Sequence, residues 1–320
     1  MQDADCAVAM DVGGTQYRVA VVDQGGSIVA VRKGRTQPRG GPQGASERII
    51  AAVREVVEEA GSPRLAGIGA SMASPVDPAT GVLHHPPNLP GWNGYTMKPT
   101  LEEAFRIPVY IDNDANLAVV GEHRFGAGQG MQHLIYMTIS TGVGGGIMID
   151  GRVLHGARGF AGEIGHIIVE PLGPKCSCGN TGCLEVMASG TAIARRAASE
   201  LEKGTQSVLT EMGKPNSVTA KEVAKAARQG DALALEIMRD VAIYSAYGIV
   251  SLIHIFDPEA VLLGGGVTQD YELIRPTLEA TVQENLMGHH KGRNLVHLYA
   301  LGDEVSLYGA AALVFDQQEQ

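Results

Sequence analysis

The sequence predicts an α/β protein of two similar domains, and three observations lead to this fold class. Short β-branched runs alternate with helical patterns along the chain. A strand, a glycine turn and a second strand occur over residues 10–19 and again over 140–149, which indicates an internal duplication. The length of 320 residues favours two domains. We expect a small domain of residues 1–115 with 301–320, and a large domain of residues 116–300 that carries a zinc-binding loop.

The first predicted domain opens with an antiparallel meander, because three β-branched runs are separated by glycine turns at 7–11, 18–23 and 27–33. Apolar residues at helical spacing then predict a helix over 47–60. Strands are predicted at 65–70 and 108–112, and the second runs into a helix that begins near Asp114.

The second half restarts with two strands around a glycine turn and continues mostly as helix. The predicted elements are strands at 133–139, 146–150 and 260–263, helices at 219–229 and 231–256, and a last helix from about 304. We expect this last helix to pack back on the first domain, since chain ends often lie close together.

Charge and hydropathy exclude several classes of function. The formal net charge of −10 is spread through the chain, whereas nucleic-acid binders usually carry a basic stripe. The longest apolar run, 248–256, is too short to cross a membrane, and the first residues do not read as a secretory signal. We therefore expect a cytoplasmic protein with no nucleic-acid or membrane partner.

Three of the four cysteines crowd into one short stretch, Cys176, Cys178 and Cys183, and His166 lies ten residues before it. One imidazole and three thiolates form the ligand set of tetrahedral structural zinc. A redox dithiol or inert buried thiols are the alternatives. The remaining cysteine, Cys6, lies in the first predicted strand and is interpreted as a core residue.

The first glycine turn is a candidate phosphate site. It follows the first strand and contains Asp11, Gly13, Gly14 and Thr15. Two glycines allow several backbone amides to face one anion, Asp11 can hold Mg²⁺, and Thr15 can donate to a phosphate oxygen. The alternative is a plain tight hairpin.

Two further glycine turns strengthen the nucleotide hypothesis. The turn with Thr141, Gly142 and Gly144 holds more glycine than a hairpin needs, which we attribute to the close approach of a ligand. It has neither the lysine of a nucleotide P-loop nor a following helix. A third turn, with Gly265 and Gly266, could hold the nucleoside. Together the turns predict a nucleotide bound in a cleft between the domains.

A polar segment at 112–116 lies where a predicted strand meets a helix. Asp or Asn there most often caps the helix, but ligands also bind at the carboxyl ends of strands in α/β sheets. One carboxylate could take a proton from an alcohol. The pattern leaves Asp112 and Asp114 as equal candidates for this base.

Two glutamates flank the proposed zinc ligands. Glu163 precedes His166, and Glu185 follows Cys183, so a zinc ion that ties the two segments together would bring these acids near the imidazole. The free ring N–H of a zinc-bound His166 could then meet a sugar hydroxyl. The alternative is that both glutamates cap or solvate helix ends.

In this order the motifs resemble the ROK family of sugar kinases and sugar-responsive repressors, from about residue 8 to beyond 309. The segments that carry the resemblance are Asp11-Val12-Gly13-Gly14-Thr15, Asn113-Asp114-Ala115-Asn116, Gly142-Val143-Gly144-Gly145-Gly146, Ala161-Gly162-Glu163-Ile164-Gly165-His166, and Cys176 to Glu185. The resemblance implies an actin-like ATPase (ribonuclease H-like) fold with an interdomain cleft.

Position by position, the resemblance implies that Asp114 is the base facing a sugar 6-hydroxyl and that Asn113 holds ring hydroxyls. The other implied sugar-binding residues are Asn88, Glu163, His166 and Glu185. Trp92, close to Asn88, is interpreted as a packing anchor. One departure bears on the substrate, because Ala73-Ser74-Pro75 stands where the family's kinases usually read Pro-Gly-Pro.

The implied function is an ATP-dependent hexokinase that phosphorylates the 6-hydroxyl of glucose with ATP, Mg²⁺ and a structural Zn²⁺, as a homo-oligomeric dimer or tetramer. The alternatives are a kinase for N-acetylmannosamine, fructose or another hexose, or a sugar-sensing regulator without a DNA-binding domain. The regulator is disfavoured, because repressors carry a helix-turn-helix domain ahead of the first glycine turn and Asp11 leaves no space for one.

Overall fold

A computed structural model describes residues 6–319, and its internal contacts divide the chain into two compact units. Within the described residues, unit 1 comprises 6–134, 146–162 and 299–319, and unit 2 comprises 135–145 and 163–298. The predicted boundary at residue 115 differs from this division. The helix that begins at Asp114 packs along the C-terminal helix, and both belong to unit 1.

The strands form two five-stranded sheets and one short hairpin. They are β1 (Cys6–Val12), β2 (Gln16–Asp23), β3 (Ile28–Arg35), β4 (Leu65–Met72), β5 (Val76–Asp77), β6 (Val82–Leu83), β7 (Val109–Asn113), β8 (Leu134–Ile139), β9 (Val143–Ile149), β10 (Arg152–Val153), β11 (Ala260–Gly264) and β12 (Val296–Leu298).

Residues 6–319 also form ten α-helices. They are α1 (Pro42–Glu59), α2 (Lys98–Phe105), α3 (Asp114–Phe125), α4 (Leu184–Ala188), α5 (Gly190–Glu202), α6 (Leu209–Met212), α7 (Ala220–Arg228), α8 (Ala232–Phe256), α9 (Tyr271–Asn285) and α10 (Val305–Gln318). Short 3₁₀ helices include Ile164–His166 and Gly266–Asp270.

The sheet of unit 1 has the strand order β3-β2-β1-β4-β7. The predicted meander is present, since β1 pairs antiparallel with β2 and β2 with β3. Strands β4 and β7 run parallel to β1, so their carboxyl ends meet at the sheet edge where β1 also ends. This edge carries Asp11 and Asn113.

Each face of this sheet is covered by a separate apolar cluster. On β1 the larger residues Val8, Met10 and Val12 belong to the cluster that includes α1, whereas Ala7 and Ala9 belong to the cluster that includes α10. The alternation is the two-residue period of a strand buried on both faces. Small residues on the α10 side let the helix approach the sheet closely.

Strand β4 shows how close this approach is. An added Cβ at Gly69 would lie 1.9 Å from the carbonyl oxygen of Ala310 on α10. No side chain fits in that space, so glycine is required here for packing rather than for backbone conformation.

Helix α3 carries a buried carboxylate that holds the segment leading into α10. Glu122 is fully buried and accepts hydrogen bonds from the amides of Ala127 (2.8 Å), Ala300 (2.9 Å) and Leu301 (2.9 Å). Several backbone donors replace the water that an ionised carboxylate would otherwise need. The prediction that the last helix packs on the first domain agrees with the contacts of α10 to β1, β4 and α3.

Unit 2 is dominated by helices around α8. This helix spans Ala232–Phe256, close to the predicted 231–256, and contacts α4, α7 and α9. The second sheet has the strand order β10-β9-β8-β11-β12. Among residues 6–319, no helix combines the length and the apolar character needed to cross a membrane.

We expect Gly69→Ala to lower the free energy of unfolding by about 2 kcal/mol or more, because overpacking must push α10 away from β4. Urea unfolding followed by circular dichroism measures the change. Gly288→Ala is the matched control, since no heavy atom lies within 4 Å of the added Cβ and its φ is not positive. Equal stability of the two variants would contradict this account of the β4–α10 contact.

Candidate active site

The turn from β7 into α3 assigns the capping role to Asn113. Its Oδ1 accepts hydrogen bonds from the amides of Ala115 (2.9 Å) and Asn116 (3.4 Å), and its Nδ2 donates to the carbonyl of Ser74 (3.0 Å). This is an ordinary N-cap. The amides at the start of α3 therefore have a capping side chain in Asn113 and do not need that of Asp112.

The side chain of Asp112 is buried and hydrogen-bonded within the protein. The residue is 3% exposed, and its Oδ1 accepts from the amide of Asn113 (2.7 Å) and from Nδ2 of Asn116 (3.0 Å). Its Oδ2 lies 2.6 Å from Nε2 of His155. Three of the four acceptor positions of this carboxylate are used by the protein and the residue is buried, so Asp112 is poorly placed to take a proton from a bound alcohol. The pattern of residues alone did not separate Asp112 from Asp114, and the two carboxylates differ in their hydrogen bonds.

Asp114 has the environment of a base that works near neutral pH. Its Oδ1 accepts a hydrogen bond from the amide of Ala115 at 2.9 Å, and the side chain of Asn113 also stabilises its charge. Burial, and after it the negative charge of Asp11, raise the pKa of Asp114 to about 6. A carboxylate with this pKa is largely ionised at pH 7 and is a stronger base than an exposed aspartate.

Asp11 is paired with Arg18, a residue that the sequence analysis did not single out. The two are directly opposite on β1 and β2. Nε and Nη2 of Arg18 donate to Asp11 Oδ2 at 3.0 and 2.7 Å, and Nη1 donates to the carbonyl of Asp303 at 2.7 Å. Oδ1 lies outside this pairing. An arginine next to the apolar run of β2 was the signal that could have indicated this ion pair.

The first glycine turn lies directly against Asn88. An added Cβ at Gly14 would lie 2.5 Å from the carbonyl oxygen of Asn88 and 2.7 Å from its Cβ. Neither Gly13 nor Gly14 has a positive φ, so close approach, and not backbone conformation, requires glycine at position 14. Thr15 is exposed beside them. Trp92 is fully buried, in agreement with its interpretation as a packing anchor.

The second glycine turn is shorter than predicted. Strand β9 begins at Val143, so Gly144, Gly145 and Gly146 are strand residues and not turn residues. An added Cβ at Gly145 would lie 2.2 Å from Ile164 Cδ1, and one at Gly146 would lie 2.3 Å from the carbonyl oxygen of Ala115. At these two positions the glycine excess that we attributed to a ligand instead has a packing cause.

A pocket of about 480 Å³ in unit 2 contains two of the predicted nucleotide residues, Thr141 and Gly266. Its other lining residues are Ser140, Gly190, Thr191, Ile193, Ala194, Thr219, Ala220, Lys221, Ala224, Met238, Val267 and Asp270. This volume lies in the range of small-molecule and cofactor sites. Most of the lining comes from helix starts that form no sequence motif, so the sequence analysis did not find them.

The N-terminus of α5 is joined to the turn at this pocket. The amide of Gly190 donates to the carbonyl of Ser140 (2.7 Å), and Oγ1 of Thr191 donates to the carbonyl of Thr141 (2.7 Å). In the third turn, Gly265 has a φ of 94°, and an added Cβ at this position would lie 2.5 Å from the carbonyl oxygen of Ile139. Gly265 is therefore required both by conformation and by space.

The structure gathers the four proposed metal ligands. One ligand atom each from His166, Cys176, Cys178 and Cys183 can be chosen so that all lie within 4.8 Å of one another. His166 Nδ1 is 3.7 Å from Cys176 Sγ, and the sulfurs of Cys178 and Cys183 are 3.6 Å apart. All three cysteines are free thiols. Three thiols and an imidazole in one cluster fit a tetrahedral zinc ion.

The two glutamates flank this cluster within unit 2. The carbonyl of Glu163 accepts the amide of His166 at 3.0 Å, and Glu185 lies in the first turn of α4. Glu185 also contacts the glycine turn, because its Oε2 lies 3.3 Å from the amide of Val143 and 2.5 Å from where a Cβ of Gly142 would be. The segments of His166 and Cys183 are tied through the Ile168–Cys183 bridge.

The proposed residues thus fall into two groups. Those in unit 1 are Asp11, Gly13, Gly14, Thr15, Asn88, Asn113 and Asp114, and those in unit 2 are Thr141, Gly142, Gly144, Glu163, His166, Glu185, Gly265, Gly266 and the three cysteines. Within unit 1, Gly14 lies against Asn88, and the negative charge of Asp11 acts on Asp114. Within unit 2, Glu185 lies against the glycine turn and His166 against the thiols.

The fold places the chain among the actin-like ATPases, as predicted. A crystal structure of a ROK family glucokinase from Streptomyces griseus, in complex with glucose and AMPPNP, has 34% sequence identity and a TM-score of 0.80. The match covers 97% of this chain and 99% of that one.

The chain belongs to the ROK family, whose family model matches residues 7–317. A glucokinase of Thermotoga maritima is 35% identical over 308 residues, 96% of each chain. The N-acetylglucosamine repressor of Escherichia coli O157:H7 is 34% identical over 239 residues, which are 75% of this chain but 57% of the repressor. The predicted family membership is confirmed.

We expect Asp114 to titrate with a midpoint near pH 6, which the carboxyl ¹³C resonances of labelled protein measure. Because this pKa lies above the unfolded value of 3.8, ionised Asp114 opposes folding, and its unfavourable effect grows as the pH rises from 3.8 to 6. Asp114→Asn should therefore be more stable than the wild type at pH 7 and not at pH 3.5. A midpoint near 4 would contradict the buried environment described for this carboxyl.

Proposed function

We propose that this chain is an ATP-dependent glucose kinase that phosphorylates the 6-hydroxyl group with Asp114 as general base. The observation that carries the proposal is the pair of adjacent carboxylates in unit 1. Asp112 accepts hydrogen bonds from three protein donors and is almost completely buried, whereas burial and the charge of Asp11 raise the pKa of Asp114 to about 6. The pair thus offers one structural carboxylate and one base.

In the proposed reaction, Asp114 accepts the proton of the sugar hydroxyl as its oxygen attacks the γ-phosphorus of ATP. The bond between that phosphorus and the β–γ bridging oxygen breaks, and ADP leaves. A general base of this kind contributes about 10² to 10⁴ in rate. The rest comes from positioning and from stabilising the charge of the transferring phosphoryl group.

Asp11 is the proposed Mg²⁺ residue of unit 1. Arg18 holds its Oδ2 through two hydrogen bonds, which fixes the carboxylate and leaves Oδ1 for the ion or for an ion-bound water. A Mg²⁺ ion held there would neutralise charge on the phosphate oxygens of ATP. Gly13, Gly14 and Thr15 are proposed to face the same phosphates.

The pocket of unit 2 is the proposed nucleoside site. It has the volume for an adenosine group, and Thr141 and Gly266 contribute to its lining. Gly142, Gly144 and Gly265 are the other residues of unit 2 proposed to bind the nucleotide. The Streptomyces griseus relative in complex with AMPPNP supports ATP as the phosphoryl donor.

The proposed sugar-binding residues are Asn88, Asn113, Glu163, His166 and Glu185. Asn113 uses Oδ1 for its cap and one Nδ2 hydrogen for Ser74, so the remaining N–H is what it can donate to a sugar oxygen. His166 directs Nδ1 toward Cys176, which leaves Nε2 for a hydroxyl group.

A structural Zn²⁺ is proposed at His166, Cys176, Cys178 and Cys183. With four protein ligands the site is closed, so the ion would hold the loop and contribute no open coordination position to the chemistry. Its proposed effect on function is indirect, because it orients the imidazole of His166.

Glucose is the proposed substrate because two of the relatives described above are glucokinases. N-acetylmannosamine, fructose and other hexoses remain alternatives.

The similarity to a repressor favours a sugar-sensing regulator as the second candidate. The raised pKa of Asp114 supports the kinase, since a sensor needs no base near neutrality. The cytoplasmic location, the homo-oligomeric state and the domain boundaries remain predictions.

We expect Asp114→Asn to lower turnover with ATP and glucose by roughly 10² or more while the variant still binds glucose, because the amide keeps the shape but cannot accept the proton. A coupled assay of ADP release and isothermal titration with glucose measure the two quantities. Asp150→Asn, at an exposed turn position, is the matched control and should keep wild-type turnover. Near-normal turnover of Asp114→Asn would remove Asp114 from the role.

We expect removal of zinc by a chelator to weaken glucose binding by about tenfold or more and nucleotide binding far less, because only the sugar site includes a zinc ligand. Metal analysis before and after treatment, and titration with glucose and with AMPPNP, measure this. Readdition of Zn²⁺ is the control and should restore glucose binding. Equal loss of both affinities, or no loss of either, would contradict the proposed role of His166.

A further inference from the structure

His155 makes a short contact to the turn that carries the proposed base. Its Nε2 lies 2.6 Å from Oδ2 of Asp112, which as a carboxylate oxygen must accept the hydrogen bond. The side chain of Asp112 is 4% exposed and that of His155 is 32% exposed. The imidazole therefore covers a buried carboxylate from its solvent side.

His155 differs from the other donors to Asp112 in its place along the chain. The amide of Asn113 and Nδ2 of Asn116 belong to the same turn as Asp112, whereas His155 comes from the segment after β10. Backbone hydrogen bonds hold that segment in place. The amide of Leu154 donates to the carbonyl of Ile147 (2.8 Å), and the amide of Ala161 donates to the carbonyl of His155 (3.1 Å). The imidazole is thus held on a well-connected loop of unit 1.

The orientation of the Asp112 carboxylate decides the geometry of the turn. Its Oδ1 fixes Asn113 and Asn116, and Asp114 lies between these two residues in the chain. A buried carboxylate that loses one of three donors carries the full cost of an unpaired polar group, and it must rotate or take up a proton. Either change alters its bonds to Asn113 and Asn116.

We infer that His155 is a positioning residue, which holds Asp114 in place for proton transfer by fixing the carboxylate of Asp112. The inference rests on the proposed function for its kinetic consequence only. Its structural consequence, that His155 keeps Asp114 buried, can be tested without a substrate. His155 itself would touch neither the sugar nor the nucleotide.

The surroundings of His155 allow this role to be tested chemically. The residue lines a pocket of about 430 Å³ in unit 1, together with Asp77, His84 and Arg158. The hydrogen bond to Asp112 raises the pKa of His155, which strengthens its function as a donor. Space at the imidazole means that free imidazole can replace a deleted side chain.

We expect His155→Ala to lower kcat by about tenfold with little change in the KM for ATP, since misplacing a reacting group reduces turnover and not nucleotide binding. Imidazole added to the medium should restore part of the lost kcat. Arg158→Ala is the matched control, because Arg158 lines the same pocket and has no hydrogen bond to Asp112. Rates are normalised to the folded fraction from circular dichroism, and His155→Gln serves if the alanine variant does not fold.

The second measurement is the titration of Asp114 by carboxyl ¹³C resonances. Because burial is the main cause of its raised pKa, a loosened turn admits water, and the midpoint of His155→Ala should fall from about 6 toward 3.8. If wild-type protein does not phosphorylate glucose, the proposed function fails and this titration alone decides the inference. A kcat and a midpoint equal to those of Arg158→Ala would overturn it.

Discussion

The buried carboxylate of Asp112 is the interaction on which the geometry of unit 1's site depends. It lies at the end of β7, where the parallel strands β4 and β7 reach the same sheet edge, and three donors surround it. Ionised groups are rarely buried unless each lone pair finds a partner. Here the partners come from the turn and from a distant loop, so one carboxylate ties the start of α3 to the segment after β10.

This arrangement separates three tasks among three adjacent polar residues. Asp112 organises the turn, Asn113 caps the helix, and Asp114 has a pKa raised by burial and by the charge of Asp11. Had Asp114 capped the helix, several amides would have stabilised its charge and lowered its pKa. The proposed base depends on Asn113 taking that role.

Glycine shows where reasoning from the sequence was incomplete. The glycine-rich segment before β9 was correctly recognised as unusual, but Gly145 and Gly146 are required by Ile164 and by the carbonyl of Ala115. Gly14 likewise faces Asn88. A glycine in a sequence indicates that something lies close. Whether the neighbour is a ligand or the protein itself is not encoded locally.

By itself, the sequence determined the family, the α/β class, the order of the elements and the candidate residues, because periodicity and motifs are local properties of the chain. It also indicated the Cys₃His cluster, since spacing limits which thiols one ion can reach. The residue pattern left Asp112 and Asp114 as equal candidates and the family resemblance favoured Asp114, but only the tertiary structure showed the hydrogen bonds of Asp112 and revealed Arg18 and His155. Those observations rest on burial and on hydrogen bonds between segments up to 285 residues apart, which no local pattern records.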